Sequence, residues 1–592
     1  MRSSSESNPS ARHFRSTLSA PLSPIAQGSL FAVAPDSECS ELLCVASQLA
    51  SFDPEILESI ENDLNACALD KKRKRWEHER WVENQTEELI NLPPADMGKL
   101  QLSEGRPRMH PLAVLGFLLL RGWLGGAKDS RFDVILRESI SLQIFLHNLN
   151  QSSPGGSTIE ENLNALSSAT RERIHRAELA LALDEELDDF ASLRIDSTHC
   201  ASASAYPTDS GTLTKLVSRV CGRMQKLNRI DLPALAQDKS DLIEEAGAET
   251  RQLNYRIGTL SSSSALQAEK AEQEEQEKVH REILEVLGEP SDEEQTQGDA
   301  TQKPERQDTV TKKESAKTKL RRELYVELYA KSQAVLDFLG PLLSLVSAEI
   351  GQAPGNPQMK QRRETWLAAM REDLQSIATV IEQSQRRVCQ GKKPSAKTKM
   401  PLSVSDASAS FIEKGGWERV FGYRPQCGFS AGGLVTVLLV PEGNQSDQSQ
   451  LSQAVNESIA NTRVIPDVVT VDDGYTGECE WTKVQEAGVE VVSFSGARGK
   501  ALLGEEKWED ERYTQARRDR NGAESGISVL KDKVRFGQLS STGIEAVRRE
   551  QLEKVLAANA LKLVALRKRK YKQEMRASWS EGLPGKRKRE VA

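Results

Sequence analysis

The sequence has no Cys-x-x-Cys pair. Its eight cysteines (Cys39, Cys44, Cys67, Cys200, Cys221, Cys389, Cys427 and Cys479) are scattered, and none sits in a Cys/His cluster. That argues against a structural zinc framework and fits a reducing compartment, so a cytoplasmic location is expected. A long apolar run is also missing. The longest, 111–120, is cut by Arg121 and is too short to span a bilayer, so no membrane partner is expected. No apolar h-region of a secretory signal appears near Met1. Nor is there an overall basic excess: the formal net charge is −8 over 592 residues, which argues against a uniformly basic nucleic-acid coat.

What is present suffices for packed cores. Hydrophobic residues make up 38% and charged residues 28%, and the length suggests roughly three or four domains. The acidic average conceals one basic region. Residues 511–592 hold 21 Lys/Arg against 10 Asp/Glu, a balance suited to phosphate.

Along the chain, residues 1–35 are rich in Ser, Pro and Arg and read as a disordered tail. Residues 40–185 read as a helical domain. Its basic run from Lys71 to Arg75 is either a solvated helix face or a DNA-backbone contact. Within it, Leu112, Leu115, Leu118 and Leu119 lie at helical spacing, and Gly125-Gly126 ends that helix. A second helix is expected at 132–149. A third is expected to be capped by Thr158 with Glu161 three residues on. This pattern suits a helix-turn-helix module and equally any small bundle. Residues 190–211 begin an α/β domain, with a strand at 192–198. Residues 212–400 turn long, charged and helical, a coiled-coil-like insertion with a disordered linker near 288–318. Strands return at 422–441 as a hairpin, then at 468–472 and 489–494. Helices are expected at 446–459, 480–486 and 516–534. The α/β domain therefore resumes over 405–545, and 546–592 forms a C-terminal helix and basic tail.

The candidate chemistry lies at strand ends. Val468-Val469-Thr470-Val471 runs into Asp472-Asp473-Gly474-Tyr475, and Arg194-Ile195 runs into Asp196. A short unbroken apolar run reads as a buried strand, and carboxylates at such strand ends lie where α/β proteins place their chemistry. Glu524 shares a helical stripe with Arg520, Ile527 and Lys531. Read alone, that stripe is an ordinary surface helix with an Arg520–Glu524 pair worth a few tenths of a kcal/mol. Read together, two aspartates and a glutamate are hard oxygen donors for Mg²⁺, with Mn²⁺ possible. Two such ions, about 4 Å apart, can activate a water or 3′-hydroxyl and stabilise a leaving oxygen.

Several segments carry a resemblance. They are Pro154-Gly155-Gly156-Ser157-Thr158, Arg194-Ile195-Asp196-Ser197-Thr198 and Tyr206-Pro207-Thr208-Asp209-Ser210. Further along come Phe421-Gly422-Tyr423-Arg424-Pro425-Gln426, Val440-Pro441-Glu442-Gly443-Asn444, Val471-Asp472-Asp473-Gly474-Tyr475, and Arg520 to Lys531. In these the chain resembles DDE transposases of bacterial insertion sequences, most closely the ISNCY-type group, over roughly 105–215 and 405–570. The resemblance implies an α/β fold with an RNase H-like mixed-sheet catalytic domain, here interrupted by a long helical insertion and preceded by a helical domain. It implies DNA cleavage and strand transfer at the ends of an insertion sequence. Asp196, Asp472 and Glu524 would be the catalytic, metal-binding triad, with Asp473 at the variable position. The partner implied is double-stranded DNA, both transposon ends and target, with a homodimer or higher oligomer expected. The expected DNA contacts are Arg520, Lys531 and the tail residues Arg567, Lys568, Arg569 and Lys570. One departure is Arg517, where related transposases carry a tyrosine. Two other readings stand beside this one: an RNase H-like nuclease without strand transfer, and a catalytically silent DNA-binding scaffold.

Overall fold

The computed structural model describes residues 37–84, 109–126, 129–204, 206–227, 238–260, 316–350, 357–392, 403–414 and 418–582. The expected 1–35 tail, nearly all of the 288–318 linker and the Lys586–Arg589 cluster lie outside the described residues. The chain divides into two compact units, one of residues 1–83, 92–205 and 408–592, the other of 84–91 and 206–407.

The first unit contains a five-stranded mixed sheet. Its strands are β1 (Ser192–Ser197), β5 (Gln426–Ser430), β6 (Val435–Leu439), β7 (Val468–Val471) and β8 (Val491–Phe494), in the order β6-β5-β1-β7-β8. The pairs β6/β5 and β5/β1 are antiparallel; β1/β7 and β7/β8 are parallel. In β1, Leu193 and Ile195 are buried and alternate with the more open Arg194 and Asp196, as a period of two requires. Leu193, Ile195, Val469, Val471, Val491 and Val492 fill a core shared with Leu451, Ala454 and Val455 of helix α12 (Leu451–Thr462). The outer edge, β6, is blunted by side chains. Asn559 brackets Val435 from both sides, Asn461 donates to the Thr436 carbonyl, and Glu457 accepts the Leu438 N–H. Such occupation removes a template for stray strand pairing. A small second sheet has the order β2-β4-β3, with β2 Cys200–Ala201, β3 Ser410–Lys414 and β4 Glu418–Tyr423.

The same unit carries helices α1 (Ser37–Phe52), α2 (Glu55–Asn84), α3 (Pro111–Trp123), α4 (Asp129–Glu138), α5 (Ile140–Asn148), α6 (Gly156–Ala165) and α7 (Ser168–Asp184). They share one apolar core with Leu556, Ala560 and Leu563 of the long C-terminal helix α17 (Ile544–Gly582). Gly122 of α3 lies so close to α17 that a methyl group there would overlap the Glu553 carbonyl. Glu553 itself is buried between Arg121 and Arg171, accepting from both guanidinium groups. A carboxylate held by two arginines tolerates burial because its charge is paired and its lone pairs are used.

Several helix boundaries differ from the sequence expectation, among them that of the 516–534 helix, which is two helices, Glu511–Asp519 and Asn521–Lys533. The 132–149 segment breaks at Ser139, whose hydroxyl caps α5 through the Leu142 N–H. The third helix begins at Gly156 with Gly155 as its cap, so Thr158 lies inside the first turn. The chain then breaks again at Leu166, where Ser167 caps α7. Serine oxygens compete for free helix N–H groups wherever the backbone can open. Gly125 and Gly126, both at positive φ, end α3 as expected.

The described elements of the second unit are helices α8 (Asp209–Leu227), α9 (Asp238–Leu260), α10 (Ala316–Ile350) and α11 (Pro357–Val388). Leu213, Val217, Val220, Ile257, Leu328, Leu339, Ile377 and Val380 form its core. Buried Asp373 pairs with both Arg219 and Arg223. Among the described residues no helix is long and apolar enough to cross a membrane.

Candidate active site

The parallel register of β1 on β7 sets the site. Arg194 lies opposite Thr470. Asp196 stands two residues on, still inside β1, and Asp472 is the first residue after the adjacent strand β7. Each carboxylate is braced by a backbone N–H. Asp196 Oδ1 accepts from Ser197 at 2.8 Å, and Asp472 Oδ1 accepts from Gly474 at 2.7 Å, where Asp472 caps a short 3₁₀ turn. Burial, then the Asp472 charge, pushes the Asp196 carboxyl up to about 6, with Glu524 adding to the rise; the Ser197 N–H and Arg520 act the other way. Asp196, Asp472, Glu524 and Arg520 therefore share one electrostatic neighbourhood.

Glu524 arrives from the opposite direction, in the first turn of helix α16 (Asn521–Lys533). The helix comes close because its inner face carries two glycines one turn apart. A methyl at Gly526 would lie 2.6 Å from the Phe429 ring of β5, and one at Gly522 would fall on the Arg194 guanidinium of β1. Ala523, Ile527 and Leu530 complete the contact, packed with Cys427, Phe429 and Val435. The Glu524 carboxylate is partly exposed and pairs with Arg520 at 2.6 Å. Among the described residues, no three His, Cys, Asp or Glu side chains are gathered tightly enough to hold a metal ion. The donor set is nonetheless of the right kind. Asp196 and Asp472 repel each other in a desolvated corner, a situation that a hard divalent cation would relieve. Each still has a carboxylate oxygen with no hydrogen bond to the described residues.

The neighbouring residues take other positions. Asp473 turns away from the pair to helix α14 (Ala497–Glu509), accepting from the Gly499 N–H at 2.8 Å and from Arg498. Burial raises its carboxyl, but these donors outweigh burial and hold it below the usual carboxylate range. The Lys531 stem lies against Gly537, and its charge falls on the buried thiols of Cys200 and Cys427. Arg517 stacks on Trp508, 4.0 Å from the ring centroid, and donates to its carbonyl. In the basic cluster of α17, Arg567 forms a fork with Glu185 and reaches Gln48; Lys568 pairs with Glu41; Lys570 reaches the Glu185 carbonyl and Glu186. Arg569 is exposed.

Residues 379–560 match a family model described as the transposase DDE domain. That match supports a DDE transposase and points to metal-dependent nuclease or transposase chemistry. The matched stretch contains Asp472 and Glu524; Asp196 lies before it. No curated protein and no solved structure matches the chain.

One group escaped the sequence reading altogether. Asp447, the first residue of the 3₁₀ turn Asp447–Gln450 before α12, is buried within reach of the Asp472 charge and of Ser197. Arg424, Gln426 and Ser197 all donate to it. Burial raises its carboxyl despite the hydrogen bond from Gln426 and the charge of Arg424. The segment Gly443-Asn444-Gln445-Ser446-Asp447 has the composition of any polar turn, so nothing local marks it.

Proposed function

We propose that the chain is a DNA transposase whose catalytic domain is RNase H-like. Asp196, Asp472 and Glu524 would serve as its acidic triad, and the ends of an insertion sequence, most like the ISNCY-type group, as its substrate. The observation that supports this reading is that Asp196 of β1 and Asp472, just after the adjacent parallel strand β7, share one electrostatic neighbourhood, to which Glu524 on the glycine-faced helix α16 also contributes. The topology, antiparallel on one side of β1 and parallel on the other, suits an RNase H-like sheet. The transposase DDE match over 379–560 supports the chemistry.

Divalent ions, Mg²⁺ or Mn²⁺, would be held by Asp196, Asp472 and Glu524, and would supply an activated oxygen nucleophile and charge stabilisation at the phosphodiester. The chain's own part is to aim both aspartates. The Ser197 and Gly474 N–H groups fix one oxygen of each carboxylate. Arg520, beside Glu524, is placed to meet a phosphate by charge-assisted hydrogen bonds. Lys531, Arg569 and the residues beyond 582 contribute longer-range attraction to DNA.

The test is a strand-transfer assay with a precut 3′-hydroxyl donor end. Joined products that depend on Mg²⁺ and vanish in Asp196→Asn and Glu524→Gln support the reading. Hydrolysis without joining would favour an RNase H-like nuclease, and DNA binding with neither product would favour a silent scaffold.

A further inference from the structure

Five buried or half-buried polar groups next to the aspartate pair are hydrogen-bonded together: Asp447, Arg424 and Ser197 close a ring, and Gln426 and Tyr475 extend it. Asp447 Oδ1 accepts from Gln426 Nε2 at 2.9 Å; its Oδ2 accepts from Arg424 and, at 3.4 Å, from the Ser197 hydroxyl. Arg424 Nε also donates to that hydroxyl at 3.2 Å. On the far side, the Tyr475 hydroxyl donates to the Gln426 amide oxygen. Gln426, Tyr475 and Asp447 are all buried.

The network joins parts of the chain that would otherwise be independent. Ser197 follows Asp196 directly. Tyr475 ends the 3₁₀ turn that Asp472 begins. Arg424 and Gln426 bracket the corner between β4 and β5, and Asp447 opens the turn leading into α12. The space between the two acidic groups is small. A methyl added to Gly474 would lie 2.9 Å from Asp472 Oδ1 and 3.3 Å from Asp447 Oδ2. Both oxygens of Asp447 are taken by donors, so it is not itself disposed to bind a cation.

We infer that Asp447 is a positioning residue, which through Ser197 on one side and Gln426–Tyr475 on the other fixes the separation of Asp196 and Asp472 at which they hold divalent metal. This deepens the proposed function and rests on it. A buried ionic network of this kind is costly to assemble. Its three donors come from β1, from the β4–β5 corner and from β5, so its geometry is set only when the sheet is complete. Held from both ends, the two aspartates lose the freedom to move apart under their mutual repulsion.

The experiment uses the full chain and three measurements: Mn²⁺ binding followed by the electron paramagnetic resonance signal of the free ion, the Mg²⁺ dependence of DNA cleavage, and metal-free thermal unfolding. Asp447→Ala and the near-isosteric Tyr475→Phe are compared with the unmodified protein. Each variant is expected to weaken Mn²⁺ binding, by roughly tenfold for Asp447→Ala and less for Tyr475→Phe. The half-saturating Mg²⁺ concentration should rise to match, while the cleavage rate at saturating Mg²⁺ stays within about threefold, since no reacting group has been removed. Variants that unfold at lower temperature yet bind Mn²⁺ as the unmodified protein does would overturn the inference and leave the network a stability device. If the unmodified protein neither binds Mn²⁺ nor cleaves DNA, the transposase reading fails, and the inference fails with it.

Discussion

Asp473 accepts the Gly499 N–H at 2.8 Å, while Asp472, one residue before it, folds back onto the Gly474 N–H beside Asp196. Two adjacent carboxylates thus face different tasks: one tethers α14, the other belongs to the acidic pair. Asp473→Ala should cost about 1 kcal/mol of stability, the usual loss for a helix-terminal carboxylate, and leave DNA cleavage in place. Asp472→Ala should abolish cleavage with DNA binding retained. A cleavage assay on both variants decides the order; activity lost only with Asp473→Ala would move the assignment by one residue.

Asp196 gives a pH signature. Its carboxyl ordinarily titrates near 3.8 and stands at about 6 in the fold. The folded state therefore holds the proton longer than the unfolded chain. The stability this contributes is fully present below about 3.8 and is lost as the pH rises through about 6. Metal-free, Asp196→Asn should gain on the unmodified protein by on the order of 3 kcal/mol between pH 3.5 and 7.5, since each tenfold difference in proton affinity between the folded and unfolded chain is worth roughly 1.4 kcal/mol. Urea midpoints at the two pH values measure the difference. Equal midpoint changes at both would show that Asp196 is not desolvated against Asp472.

The approach of Glu524 depends on Gly526. An alanine there meets Phe429, a core ring that is itself packed and cannot move aside. Overpacking of this kind costs about 1–3 kcal/mol and lifts the start of α16 off the sheet. Gly526→Ala should lower cleavage far more than DNA binding. Gly522→Ala meets only the flexible end of Arg194 and should be milder. Thermal unfolding and cleavage rates together test the ranking.

The basic tail divides into two classes. Arg567, Lys568 and Lys570 are engaged by Glu185, Glu41 and Glu186 within the same unit, so Arg567→Ala should lower the unfolding temperature and barely alter the salt dependence of DNA binding. Deleting 583–592, which removes Lys586, Arg587, Lys588 and Arg589, should flatten the slope of log K against log salt by about 0.9 for each DNA phosphate that is no longer neutralised. A slope unchanged by that deletion would make the terminal cluster a solvated charge run.

Local pattern was enough for the strands that carry the chemistry. The β-branched run at 468–471 and the alternation at 192–197 are strands, and the hairpin expected at 422–441 is β5 and β6. The helices at 111–123, 451–462 and 478–486 were likewise legible from periodicity and glycine stops. These features depend on neighbours within a few residues. Less legible were the small β2-β4-β3 sheet and α14, whose strands and caps are completed by distant partners: Asp473 for α14, and Cys200 and Ala201 for β4.

The sequence by itself determined which residues are acidic at strand ends, and therefore which chemistry is available to the chain. Only the tertiary structure decided how they are used. The strand order puts Asp196 beside Asp472 across more than 270 intervening residues, and two glycines set how near Glu524 can come. Asp473 is drawn off to a helix end, and Asp447, unremarkable in a polar turn, becomes a buried anchor once three donors from other segments close on it. Charge pairing and desolvation depend on distances in space, and a one-dimensional pattern carries those only where the partners are also neighbours along the chain.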